Sequence, residues 1–399
     1  MNYNFDYIII GAGINALSCV HGISQLNKKK KIALITGSPY KKIIHSHPKI
    51  FKDQLNSRNN IYSHTSTILG KSMPGIISGL SYFWGEQCNS EEALKKRSFQ
   101  TYYKFFSNFL ELSEGENISK KKEMGFHINN NNPDKTIKRE KSQKKFKLYF
   151  KKNCKMFFNE AISINKTKVL LNNKRSIYGK KIILCAGLIG STNLLKTICS
   201  DIDFRYYDHS PQIDLIYSKN INQNSDRNSI YSIVSKIYDK NYNIKYYLKY
   251  YPLKSLELLF FLGKIKFFLP KFILKYRFNL DNLYFIQKWD NNSFKEIRND
   301  KTFFKYRFNK KQNFKKLDIL YKKLKIFKIF SFRSNDDNFH FHNLRIIKNK
   351  KIISIENFLK KYNPSVYCLS LLAEKNINCL PPTFMNCLKT AIKIKKILK

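Results

Sequence analysis

The sequence predicts an α/β protein, a domain that opens on a dinucleotide-binding turn and carries a second region of different texture. Three observations lead there. "DYIIIGAGINALSC" (6–19) runs an apolar strand into a G-x-G-x-x-A turn and then into a helix-like stretch. "KKIILCAGLIGSTNLL" (180–195) repeats the pattern of buried strand, small-residue turn and helix start. Residues 200–339, in contrast, are aromatic and basic, and glycine nearly vanishes from them.

Tyr7 to Ile10 are consecutive, uncharged and rich in β-branched residues, the signature of a strand buried on both faces. Gly11 permits a tight turn out of that strand. Gly13 has no side chain, so backbone N–H groups can approach a pyrophosphate. Ala16 is small enough for close helix–strand packing. A helix N-terminus there offers unpaired N–H groups and a partial positive charge. Gly11, Gly13, Ile14 and Ala16 are therefore the candidate phosphate contacts. Ile14, Leu17, Val20 and Ile23 recur at helical spacing, and Ile32 to Ile35 form the next strand, which completes a βαβ unit. That strand usually ends in an acid that binds a ribose. Here Thr36-Gly37-Ser38 stands in its place, and the Thr36 hydroxyl is the candidate ribose partner.

Residues 38–90 are loop-rich, and "GKSMPGIISGLSYFWGEQC" (70–88) is the densest glycine stretch outside the start. Residues 91–114 read as a helix, and 115–148, polar with an asparagine run at 129–132, as a loop or excursion. Residues 155–171 alternate as paired strands do. "LELLFFLGKIKFFLPKFILKY" (256–276) is apolar and studded with lysine. It reads either as an interfacial amphipathic segment, which would give peripheral membrane contact, or as a core helix pair broken at Pro270, the commoner case. A last helix starts at "PPTF" and covers the rest of the sequence.

Composition excludes more than it assigns. The 399 residues carry 74 Lys and Arg against 28 Asp and Glu, a net charge of +46. Nucleic acid is one partner such a charge implies. However, Lys far exceeds Arg, and Asn, Ile, Phe and Tyr are abundant too, a profile that A/T-rich coding produces unaided. The lysines are scattered and no nucleic-acid motif accompanies them, so no nucleic-acid partner is expected. The eight cysteines form no C-x-x-C pair, so neither a metal site nor a redox disulfide is indicated. The first residues already form the nucleotide-binding strand, and no apolar run is long enough to span a bilayer. A cytoplasmic protein is the expectation, with 256–276 as the one segment that would associate with a membrane.

Three stretches together point to FAD. Cys185-Ala186-Gly187 follows a buried strand, as in the second crossing of an FAD domain, with Ser191 and Thr192 available to cap the helix after it. "GLSYFWGE" (79–86) wraps glycines around aromatics and suits close backbone approach to a flat ring; its candidates are Gly79, Ser81, Trp84 and Gly85. The last helix begins at Pro381-Pro382-Thr383, and its positive end suits the pyrimidine edge of a reduced flavin; Pro382 and Thr383 are the candidates.

On these residues the chain resembles the glucose-methanol-choline (GMC) oxidoreductases, particularly their shorter bacterial branch. The resemblance covers 1–112, 155–196 and 338–399. The family's tryptophan turn reads "SGLSYFWGE" here, its Ala-Gly segment "CAGLIGSTNLL", and its catalytic histidine stretch "FHFHNLRI" with His340 and His342. The family tail aligns with "VYCLSLLAEKNINCLPPTFMNCLKTAIKI". The acid expected near that tail is Leu369, and the glycine-rich loop after it has become "LLAEKNIN".

The resemblance implies an FAD-binding Rossmann-like domain of the glutathione-reductase type with a second substrate or cap domain. The segments 1–90, 155–196 and 340–399 would make the first, and 91–154 and 197–339 the second. It implies oxidation of a CH–OH group of an alcohol or sugar-like small molecule, with hydride passing to flavin N5 and His340 or His342 taking the hydroxyl proton. Substrate and electron acceptor stay open. Two other classes also stay open: a flavoprotein that keeps the fold without turnover, and a basic membrane-surface or interaction protein.

Overall fold

The computed structural model describes residues 4–27, 29–36, 97–110, 135–207, 210–219, 233–239, 244–252, 283–290, 294–298, 301–303, 321–322, 325–333, 342–370, 390, 393–394 and 396–397. Its first half contains β1 (Phe5–Ile10), α1 (Ile14–Leu26), β2 (Ile32–Thr36), α2 (Arg97–Leu110), α3 (Lys135–Asn153), β3 (Lys155–Phe158), β4 (Ala161–Asn165), β5 (Lys168–Leu171), β6 (Ser176–Leu184) and α4 (Gly187–Ile198). The strands β7 (Asp203–Tyr207), β8 (Ser210–Tyr217), β9 (Ile233–Asp239), β10 (Ile244–Pro252), β11 (Leu283–Asp290), β12 (Phe294–Arg298), β13 (Lys301–Phe303) and β14 (Phe327–Arg333) follow. The described elements end with β15 (His342–Lys348), β16 (Lys351–Ser354), α5 (Ile355–Tyr362) and β17 (Val366–Cys368).

The central sheet is parallel, in the order β3-β2-β1-β6, with β17 on the far side of β6. Strand β1 explains why it is covered on both faces. Tyr7 and Ile9 point into one core with α1, Phe106 of α2, and Phe146 and Phe150 of α3. Ile8 and Ile10 point into the other, with α4, the β4–β5 hairpin, β7, β12, β15 and α5. A strand with two apolar faces needs cover on both, and helices and strands supply it.

Strand β6 serves two sheets. Its first half pairs antiparallel with β5, Val169 opposite Ile177. Its second half pairs parallel with β1 and β17, with Ile182 opposite both Ile8 and Val366. Two further sheets are antiparallel, β14-β8-β11-β10-β9 and β13-β12-β7-β15-β16. In the latter, Glu296 of β12 is almost fully buried between two guanidinium groups. Arg205 donates Nε to its Oε1 at 3.1 Å, and Arg298 donates Nε to its Oε2 at 2.9 Å.

Helix α3 occupies much of the stretch that its polar sequence marks as a loop. Phe146, Tyr149 and Phe150 recur at i, i+3 and i+4 and pack on α1, while the lysines around them face outward. These three aromatics stand among lysines, so composition over 115–148 hides the helix. Among the described residues, no helix is long and apolar enough to cross a membrane.

His21 joins α1 to both of these helices. Its ring stacks on Phe105 at 3.5 Å, and its Nδ1 shares a hydrogen bond with the Tyr149 hydroxyl at 3.1 Å. Burial lowers its pKa from 6.5 to about 4, so the folded ring is neutral. The unfolded chain binds a proton between those values that the folded chain refuses. The contribution is whole above the unfolded pKa and is lost as pH falls toward the folded one. The loss should reach about 2–3 kcal/mol by pH 4. His21→Gln should flatten this acid limb, read as urea midpoints at neutral and mildly acid pH.

Candidate nucleotide site

The turn after β1 lies at the carboxyl end of the parallel sheet. Gly11 has φ +107°, a left-handed conformation that favours glycine. Its N–H donates to the Ile35 carbonyl at 2.8 Å, which ties the turn to β2. A Cβ there would overlap the Cys185 carbonyl oxygen and lie 2.6 Å from its carbon. Gly11 is therefore needed for the close approach of the two turns, beyond permitting the bend that the sequence predicts. Gly13 precedes α1 with extended backbone, φ −84°, and its carbonyl accepts from Leu17 N at 3.0 Å. No side chain caps this helix, and its first turn holds no acid. The positive end of α1 thus faces the carboxyl edge of the sheet with no charge of its own helix against it. Ile14 and Ala16 are buried beneath the turn.

Thr36 ends β2 beside this turn and is buried. On the other flank, Cys185 N donates to Ile10 O at 2.8 Å, Ala186 caps α4, and Gly187 adopts φ +67°. The order β2-β1-β6 makes β1 the point where connections diverge to either side. In open α/β sheets, ligands bind in the crevice outside the carboxyl ends of the strands at that point. Gly11, Gly13, Ile14, Ala16, Thr36, Ala186 and Gly187 all converge there. Ser191 and Thr192 do not cap α4, because the helix already starts at Gly187 and places both inside it. Ser191 Oγ instead shares a hydrogen bond with Ser370 Oγ at 2.8 Å.

A third chain segment reaches this edge, from the stretch 340–399 that the resemblance assigns to the same domain. Leu369 N donates to Leu184 O at 3.0 Å, and the Leu369 carbonyl accepts from Asn15 Nδ2 and from Thr390 Oγ1, each at 3.3 Å. The Leu369 side chain is fully buried in the α1 core, which accounts for leucine where the resemblance expects an acid. Asn15 Oδ1 is buried in the first turn of α1 without a hydrogen-bond partner among the described residues. Such an atom is costly unless something else satisfies it. A buried contact also lay out of sight: the Cys19 and Cys185 sulfurs stand 3.5 Å apart, and burial pushes the Cys185 thiol well up. Lone cysteines far apart in sequence give no signal of this.

His342 begins β15, opposite Tyr207 of β7. The pairing register shifts between His342 and Arg345, where Asn343 has φ +50°. His340, Gly79, Ser81, Trp84, Gly85, Pro382, Thr383 and the segment 256–276 lie outside the described residues.

Pyridoxine 4-oxidase from Mesorbium loti superimposes over 98% of this chain and 99% of its own, with a TM-score of 0.56 at 10% sequence identity. The fold is that of the Rossmann-like FAD-binding proteins with a second domain. A Rab GDI from Plasmodium falciparum aligns over 100% of this chain and 98% of its own, at 10% identity and a TM-score of 0.36. The myxobacterial chondrochloren halogenase CndH aligns over 99% and 75%, at 10% identity and 0.35. No protein-family model matches the chain, and no curated protein sequence does.

Proposed function

We propose that this chain is an FAD-dependent oxidoreductase of the GMC-like class that acts on a CH–OH group of a small alcohol or sugar-like substrate. One observation carries the reading: an uncapped helix N-terminus and a glycine turn at the switch point of a parallel sheet, beside a buried carboxamide oxygen with no partner among the described residues. The residues fit an FAD. Gly11 lets the two turns close on each other, Gly13 leaves room for its pyrophosphate, the N–H groups from Ile14 onward face it, and the Thr36 hydroxyl suits its ribose. A fold neighbour named as a pyridoxine 4-oxidase supports the same class.

Bound FAD supplies a hydride acceptor. The chain supplies a base: His340 or His342 takes the hydroxyl proton as the C–H bond yields its hydride, and neutral imidazole suits this near neutral pH. The test begins with the visible absorption spectrum of the purified protein, which should show flavin. Anaerobic stopped flow with an alcohol panel follows. His→Ala at the true base should keep the flavin and slow its reduction at least about 100-fold. That deficit should shrink at low pH, where the wild-type imidazole is itself protonated. Wild-type rates in both single variants would remove the histidines from the mechanism.

A second reading rests on Leu369. A buried leucine where the resemblance expects an acid favours a flavoprotein that holds its cofactor without turnover. Flavin present but unreduced by any alcohol would select this reading.

A further inference from the structure

We propose that a cleft at the amino-terminal end of the parallel sheet binds a compact polyphosphate group. The cleft encloses about 680 Å³ and draws its lining from the starts of β1, β2, β3 and β6, the turns before them and the end of α3. This size suits a small molecule. It is a different place from the nucleotide turn. Phe5 lines the cleft, whereas Ile10 leads into Gly11, and a strand of that length separates the two ends by about 17 Å. One phosphate group cannot serve both.

Lys30, Lys31, Lys152, Lys155 and Arg175 line the cleft, and no carboxylate is among the described residues that do. The nearby acid is already engaged. Asp6 pairs with Lys180 at 2.9 Å and more loosely with Lys30 at 3.9 Å, and it accepts from Lys31 N at 3.0 Å. Lys152 lies in the last turn of α3, where a cation complements the helix dipole. That leaves Lys31, Lys155 and Arg175, none with a carboxylate within ion-pair distance among the described residues. Lys155 Nζ and Arg175 Cζ both lie within 6 Å of the Phe157 ring centre, so they share one small patch. Phe157 is itself fixed edge-on against Phe5 at 5.7 Å.

Scattered lysine alone does not give this arrangement. Like charges gathered in a concavity repel each other, and a surface placed by composition would spread them. Arginine is scarce in this chain, yet one stands at the rim. Its planar fork binds phosphate oxygens in pairs, which an ammonium group cannot do.

The test is calorimetric titration of the full-length protein, as purified, with inorganic tripolyphosphate at about 150 mM salt. One saturable site is expected. Lys155→Gln with Arg175→Gln, both at exposed positions, should weaken it at least about tenfold. Lys322→Gln with Lys325→Gln, exposed elsewhere, should weaken it less than about twofold. Gly13→Val should leave it unchanged, which separates this site from the nucleotide turn. Vesicles bearing a polyphosphorylated lipid form a second arm. Co-sedimentation that the cleft variant loses assigns the anion to a headgroup, and titration without co-sedimentation assigns it to a free solute. No saturable binding, or equal loss in the cleft and control variants, would overturn the proposal.

Discussion

Gly13→Val should purify folded and colourless, whereas Gly11→Val should not fold. The two glycines sit two residues apart in one turn, and the contrast follows from their surroundings. Gly13 has backbone angles open to any residue, so a side chain there costs about 1 kcal/mol of helix capping at most. It does fill the space next to the α1 N-terminus, where a pyrophosphate would lie. Gly11 is held at φ +107° with the Cys185 and Ala186 backbone against it, the Ala186 nitrogen 2.8 Å from where a Cβ would stand. Neither wall can retreat. Gly11 is bonded to Ile35 and Cys185 to Ile10, so both turns are pinned to the sheet. Strain and overlap together should cost at least about 4 kcal/mol. Circular dichroism melts read the folding of both variants, and visible absorbance reads the flavin content of Gly13→Val. Flavin retained by a folded Gly13→Val protein would take this turn out of cofactor binding.

Glu296→Gln should remove about 3–5 kcal/mol of stability at neutral pH, because it leaves two guanidinium groups facing an amide. The carboxylate is 2% exposed, and Arg205 is further held over the Phe294 ring at 4.0 Å. Burial alone would push the Glu296 pKa up. The hydrogen bonds and charges of Arg205 and Arg298 outweigh it and hold the value below the usual 4.5. The sign follows. A folded pKa below the unfolded one gives stability that is present above the unfolded value and lost as pH falls through the folded one. Urea titrations should show this acid step in the wild type and not in Glu296→Gln. The triple change Arg205→Met, Glu296→Leu, Arg298→Met should recover most of the loss, since apolar packing replaces a buried ion cluster well.

Much of the nucleotide-binding half is legible in the sequence because its signals are local. A strand, a glycine turn and a helix lie within about 30 residues in such a unit, and each choice agrees with the next. The run from Lys180 to Leu195 reads equally well for the same reason. What sequence reasoning missed is carried by contacts with no local trace. Helix α3 keeps its place through three aromatics among lysines, and nothing nearby announces that Phe146 and Phe150 meet α1. His21 sits on the core face of α1 at the spacing of Ile14 and Leu17, a signal that only the stacking Phe105 makes meaningful. Leu369 reads as a departure from a family pattern, yet its burial beside Cys185 gives it a packing reason. The sequence beyond β7 alternates weakly, because lysine and aromatic residues follow one another there without a period of two.

The placement of β17 sets an order of events as the chain is made. The Leu369 carbonyl that holds Asn15 is 354 residues downstream of it. The first βαβ unit leaves the ribosome early, but its switch-point edge lacks β6 until residue 184 has emerged and β17 until residue 368 has. Contacts of such sequence separation form slowly, because a long loop must close before they gain anything. Until residue 184 has emerged, the glycine turn stands next to an unpaired edge of β1. An unpaired strand edge of this kind is a template on which another chain can pair.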